Sequence, residues 1–174
     1  MPFFGIIAIS ATFVVTLGEI DLSFPSIVGI TSLTFGLILT ATDGNFFIAF
    51  ALASALGMFA GLINGLLVTK IGIPSIVATI GTLYFWRGLV NVVSQGSGVA
   101  IVDVADGTWH HTLFVEKLFG LIPAQFIWFI VLTALMQWVY RYHKFGNHIH
   151  FVGDNKDSSQ MMGINVDNIK IIAF

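Results

Sequence analysis

The chain has 174 residues, of which 56% are hydrophobic and only 9% charged, with a net charge of −2 and no cysteine. Soluble domains carry about 25% charged residues, so a water-facing globule is excluded; a mean hydropathy of +0.93 makes membrane spans of roughly 20 apolar residues the unit to count. The missing cysteines exclude disulfides and thiolate metal sites, no basic tract suggests nucleic acid, and MPFFGIIAIS at the start lacks the charged n-region and cleavage site of a signal peptide.

In chain order, the first apolar segment, Pro2–Leu17, is short. It ends in LGEIDLSFPS, residues 17–26, where Gly18 breaks the helix and two carboxylates, Glu19 and Asp21, follow. Asp21 or Ser23 is placed to cap the next helix, and Pro25 fits its first turn. Four full segments come next: Phe24–Thr42, Phe46–Thr69, Ser75–Gln95 and Pro123–Tyr142. As helices they reach roughly 28 to 36 Å, enough for a hydrocarbon core of about 30 Å. None alternates apolar and polar residues as a membrane barrel strand does. The breaks are ATDGN (41–45), a turn cluster, and KIGIP (70–74), where Lys70 and Gly72 close one helix and Pro74 precedes the next. Residues 96–122 form a long connection with a short surface helix expected near Thr112–Phe119. Residues 143–168 form a second, polar connection, and IKIIAF then begins another apolar run. A half-begun span leaves backbone groups unsatisfied in lipid, so residues 1–174 are expected to be one membrane domain, incomplete at its C-terminal end and with its N-terminal end left open.

Lys and Arg set the orientation. Lys70, Arg141, Lys144, Lys156 and Lys170 fall on one side; the other holds only Lys117, beside Asp43, Asp103, Asp106 and Glu116. The positive-inside rule puts 70–74 and 143–168 in the cytoplasm, and 43–45 and 96–122 outside. Trp138, Tyr140 and Tyr142 mark the inner edge of the last full span.

Within Phe46–Thr69, Ala49, Ala53, Gly57, Gly61 and Gly65 recur every fourth residue, on one helix face without large side chains. Small residues let helices approach closely in lipid, so this strip is a packing face or a seam that moves during transport. Asn64, beside Gly65, bonds across helices or meets a substrate. Arg87, about 12 Å from the outer end of its span, either snorkels to the interface or lines a pathway. The adjacent pair His110–His111 is a poor chelate, and His148 and His150 lack a third ligand; no metal site is expected. No nucleophile–base arrangement and no phosphate-cradling loop occurs, so the chain is not expected to be an enzyme. In GDNKDSSQMMGINV, residues 153–166, Asp154 is placed to cap a short helix, roughly Asn155–Met162. Asp157 lies near its positive end, Ser158 within it, and Gly163 at its left-handed stop. Met161 and Met162, exposed together, suit an adaptable docking surface or a helix lying on lipid.

Three stretches, GEIDLSFPS, GLINGLLVTKIGIPSIVATIGTLYFWRG and GNHIHFVGDNKDSSQMMGINVDNIKI, resemble the permease subunits of ABC importers of the ribose and simple-sugar type, relatives of branched-chain amino-acid permeases. The family pattern reads Gly-Gly-Ile-Asp-Leu-Ser where this chain has Gly18-Glu19-Ile20-Asp21-Leu22-Ser23. The resemblance implies an all-α polytopic permease with about five transmembrane helices in this stretch and a short cytoplasmic coupling helix at 153–166. It implies a bacterial-type inner membrane, and a dimer with a second, identical or different, permease subunit. It also implies cytoplasmic ATP-binding subunits that hydrolyse ATP, an extracytoplasmic sugar-binding protein meeting residues 96–122, no cofactor, and monosaccharide import. The alternatives are the same importer type for branched-chain amino acids or nucleosides, or a transporter or channel working alone. Residues 18–23 then border the translocation path, or their acids lie at the inner interface as caps. The candidate pathway residues are Glu19, Asp21, Ser23, Asn64 and Arg87. The candidate coupling residues are Asp154, Asn155, Asp157, Ser158, Met161, Met162 and Gly163.

Overall fold

The computed structural model describes residues 2–118 and 120–174. The chain forms two compact units, residues 1–20 with 111–174, and residues 21–110. Among the described residues the regular structure is helical except for a two-residue antiparallel ladder, β1 (Lys117–Leu118) with β2 (Ile122–Pro123).

The second unit holds α2 (Phe24–Ala41), α3 (Phe46–Leu66), α4 (Ser75–Ser94) and the one-turn α5 (Val102–Ala105). Between α2 and α3 the chain reverses through Asp43 and Gly44, both at positive φ. Asn45 starts α3: its side chain accepts the Ile48 N–H at 3.2 Å. The helix widens into a π-helical turn, Leu67–Ile71, and stops at Gly72, at φ +80°. Pro74 then stands immediately before α4. Helix α2 packs against both α3 and α4. Ile30, Ala60 and Trp86 form one core, flanked by Ile27, Leu33, Leu56, Ile63, Leu89 and Val90. Three helices of this unit, Phe24–Ala41, Phe46–Ile71 and Ser75–Ser94, are long and apolar enough to cross a membrane.

The first unit holds α1 (Pro2–Thr16), α7 (Ala124–Tyr142), α8 (Lys144–Asp154), α9 (Lys156–Met161) and α10 (Val166–Ala173). Helix α1 is shorter than a full span. Helix α7 has the length, but Gln125, Gln137 and Arg141 dilute its apolar character. Phe13 and Leu17 pack with Ile149, Val152, Val166 and Ile169. The Tyr140 hydroxyl pairs with the Thr16 hydroxyl at 2.9 Å, tying α7 to α1.

Two expectations are corrected here. The helix expected near Thr112–Phe119 is instead α6 (Trp109–Phe114), followed by the ladder. Gly120, at φ +71°, supports a reversal rather than a further helical turn; Phe119 lies outside the described residues. The connection 143–168, expected to hold one short helix, holds α8, α9 and the start of α10. Helix α8 is amphipathic, and burying Ile149 and Val152 against α1 and α10 makes an otherwise polar stretch worth ordering.

Helix α8 can lie on the end of α1 because of Gly153. A Cβ there would collide with the Thr16 carbonyl oxygen, a backbone atom that cannot turn aside. Gly153→Ala is expected to lower stability by about 1–3 kcal/mol. Gly81→Ala, where a Cβ meets nothing within 4 Å, is expected to be neutral or to stabilise by up to about 1 kcal/mol through helix propensity. Thermal unfolding of the two variants in detergent, side by side, measures the difference.

Candidate functional site

The segment after α1 leaves the helix through Gly18, whose φ of +75° any side chain would strain. The Gly18 and Glu19 N–H groups still donate to Val15 and Val14 carbonyls, so the chain turns off α1 without losing those bonds. Glu19 then points to α10, where Lys170 Nζ pairs with Glu19 Oε1. The two side chains are only 14% and 15% exposed. A charge this far out of water is costly alone, and its partner offsets most of that cost.

Asp21 belongs to the second unit and serves another purpose. Its Oδ1 accepts both the Ser23 N–H, at 2.7 Å, and the Ser23 hydroxyl, at 2.6 Å. The Ser23 hydroxyl in turn accepts from Asn64 Nδ2 at 2.7 Å. Asn64 Oδ1 accepts from the Thr82 hydroxyl at 2.7 Å. Beside this relay, the Leu22 N–H donates to Thr79 Oγ1 at 3.1 Å, and Thr79 Oγ1 donates to the Ser75 carbonyl. The run thus goes Asp21–Ser23–Asn64–Thr82, from the irregular segment through α3 to α4. Ser23, Asn64 and Thr79 have no exposed surface.

This corrects the capping expectation. Ser23 is the N-cap residue of α2, but its side chain makes no cap bond. The hydroxyl is already engaged by Asp21 and Asn64, and Asp21 itself holds the Ser23 N–H rather than a first-turn amide. Pro25 sits in the first turn of α2. Asn64 bonds across helices, and being fully buried it presents no atom to a solute. What the arrangement does chemically is hold: one carboxylate, two hydroxyls and one amide lock an irregular backbone against two helices. Among the described residues no group of three His, Cys, Asp or Glu side chains could hold a metal.

The other expected residues are dispersed. Ala49, Ala53, Gly61 and Gly65 are buried and Gly57 is half-buried; a Cβ on Gly57 would meet Thr31 Cγ2 of α2 at 3.4 Å. Arg87 is exposed on α4, with no bonded partner among the described residues. The His110 ring stacks on Phe46 at 5.1 Å and shares a 3.0 Å hydrogen bond with the Thr108 hydroxyl, while His111 faces Glu116 at 3.5 Å. At the α8–α9 junction the cap is Asn155, not Asp154. Asn155 Oδ1 accepts the Ser158 N–H at 2.9 Å, and Asp154 is the last residue of α8. Asp157 lies in the first turn of α9, and Gly163 follows the helix at φ +81°. Met161 is 89% exposed and Met162 59%.

Lys170, Thr79 and Thr82 were absent from the expected residues. A lone Lys in IKIIAF, and two hydroxyls three apart on one face of an apolar helix, were the signals available for them.

A family model described as "Branched-chain amino acid transport system / permease component" matches residues 1–174. An autoinducer 2 import system permease protein LsrC of Yersinia pseudotuberculosis serotype O:3 (strain YPIII) is 36% identical over 170 residues, 97% of this chain and 46% of the relative. The protein of the same name from Yersinia pestis (strain Pestoides F) is 34% identical over 169 residues, again 97% and 46%. The chain spans about half the length of the curated relatives it matches. No solved structure matches it.

Asn64→Leu removes the centre of the relay and strands the Ser23 and Thr82 hydroxyls. A loss of about 1–3 kcal/mol is expected, read as a lower unfolding midpoint in detergent, with Asn64→Gln intermediate. Glu19→Gln leaves Lys170 without its counter-charge and is expected to destabilise on the order of 3 kcal/mol. The exchange Glu19→Lys with Lys170→Glu should restore most of it, which the same unfolding measurement checks.

Proposed function

The chain belongs to the family of branched-chain amino acid transport system permease components, and on that footing we propose that it is part of the membrane subunit of an ATP-driven importer for a monosaccharide. The observation that carries this reading is the family match over the whole of residues 1–174. In it, α1, α2, α3, α4 and α7 are the five crossings. Residues 70–74 and 143–168 face the cytoplasm, and 43–45 and 96–122 face outward, in an inner membrane; the Lys/Arg asymmetry supports this orientation. ATP is hydrolysed in separate cytoplasmic subunits. A second permease subunit completes the path, and an extracytoplasmic binding protein delivers the solute to 96–122.

Helix α9 is the coupling helix. It is short, capped at Asn155, stopped at Gly163 and carries two exposed methionines at its end, a combination suited to a groove on a motor subunit. Its motion has a physical route within its own unit. Helix α9 leads into α10, and Lys170 of α10 is paired with Glu19, just past the end of α1. A shift of α9 therefore pulls on the point where α1 ends. In the second unit the strip Ala49, Ala53, Gly57, Gly61 and Gly65 supplies a smooth seam for α3. The Asp21–Ser23–Asn64–Thr82 relay keeps the irregular segment intact during such movement. In the path reading, Asp21 is the group of that relay left half-buried and available to water.

A second cargo is favoured by the relatives, which are named for import of autoinducer 2; the family description names branched-chain amino acids. Uptake of labelled ribose, autoinducer 2 and leucine by the full-length assembly separates the three. Replacing Met161 and Met162 by Ser is expected to leave the assembly's ATP hydrolysis measurable while uptake falls at least about tenfold. Uptake at the unmodified rate would remove α9 from the coupling role. A full-length permease that transports with no ATPase present would end the proposal itself.

A further inference from the structure

The outer half of helix α4 carries a second polar face, and no described residue covers it. The packed face is Ser75, Ala78, Thr79, Thr82 and Trp86. With about 100° per residue, Tyr84, Arg87, Gly88 and Asn91 fall on the opposite side, spaced three and four apart. All four are exposed, and none of Tyr84, Arg87 and Asn91 has a bonded partner among the described residues. A Cβ added at Gly88, or at Gly81 one turn inward of Tyr84, would meet nothing within 4 Å. The flanks of this stripe are greasy: Phe85 is 57% and Val92 74% exposed.

Helix α4 is apolar and long enough to cross a bilayer. Arg87 precedes its last residue, Ser94, by about 10 Å of helical rise. Arg87 at that depth, with Tyr84 about 5 Å deeper and Asn91 about 6 Å nearer the helix end, is poorly suited to acyl chains, where Arg alone costs about 2.5–3.5 kcal/mol. Phe85 and Val92 are the side that lipid suits. The stripe instead needs water or a polar solute, and the two glycines keep it thin enough to leave room for one.

We infer that the Tyr84–Arg87–Gly88–Asn91 face of α4 is a wall of the solute path and binds a neutral, hydroxyl-rich solute. This rests on the importer reading above. The guanidinium offers a rigid fork of donors, the Asn91 amide both donates and accepts, and the Tyr84 ring gives a flat surface for a sugar's C–H face. No second cation accompanies Arg87 on α4, so the face lacks the charge density a multiply charged anion requires. This moves the solute-binding role from Asn64, which is buried, to a face that is open.

The test uses the full-length permease in its assembly, in membrane vesicles, with single cysteines introduced into a cysteine-free background. Cysteines at 84, 88 and 91 should react with a charged methanethiosulfonate reagent at least about tenfold faster than a cysteine at 85, because only a hydrated thiol ionises. D-ribose, D-xylose or D-galactose should slow labelling at 88, and Arg87→Leu should abolish that protection while leaving the labelling. Labelling confined to 91 means Arg87 merely snorkels, and overturns the proposal. Equal rates around the helix, or spontaneous cross-linking of two copies through position 88, also overturn it. Protection by none of the three sugars overturns the solute assignment. The labelling pattern needs neither ATP nor uptake, so it stands or falls separately from the importer reading.

Discussion

A polar group inside hydrocarbon has to find its partner within the protein, because no water is there to supply one. The second unit is organised around that constraint. The chain between α1 and α2 is irregular, so its amides lack helical partners, and side chains take over: Thr79 receives the Leu22 N–H and Asp21 the Ser23 N–H. Asn64 and Thr82 then extend the relay into α3 and α4. Each bond is modest; cross-helix hydrogen bonds in membranes average about 0.6 kcal/mol. Their effect is positional, since several bonds converging on one segment leave it a single arrangement.

A buried charge in the first unit meets the same need for a partner. Where the resembling permeases read Gly-Gly, this chain has Gly18 and Glu19, and the added carboxylate is mostly buried. Lys170 neutralises it from α10. Such a pair contributes less net stability than its charges suggest, because both ions must be desolvated. It ties α10 to the segment just past the end of α1.

Arg87 shows the contrasting case. Asn64 on α3 and Glu19 just past α1 have partners, whereas Tyr84, Arg87 and Asn91 on α4 have none among the described residues. Tyr84, Arg87, Gly88 and Asn91 are all exposed on that face. Trp86, the residue before Arg87, is packed in the core with Ile30 and Ala60, so the two neighbours face opposite ways, one into the packed side of the helix and one out of it.

The helices were legible before any coordinates. The runs Phe24–Thr42 and Ser75–Gln95 were one residue longer than the helices observed, because Pro, Gly and Asn punctuate an otherwise apolar text and lipid permits little besides helix. The short helix near Asn155–Met162 and the break at Gly18 were likewise read from local chemistry. The cap of that helix falls on Asn155 rather than Asp154, because α8 extends through Asp154 with Ile149 and Val152 buried in the core shared with α1 and α10. Pairing was not legible at all. Glu19 and Lys170 are 151 residues apart, and Asn64 meets Ser23 across 41. Sequence alone determined where the long apolar helices run, because that depends on neighbours along the chain. Which polar side chains are consumed by packing and which remain open was decided by the tertiary structure, because a buried bond depends on what the fold brings alongside.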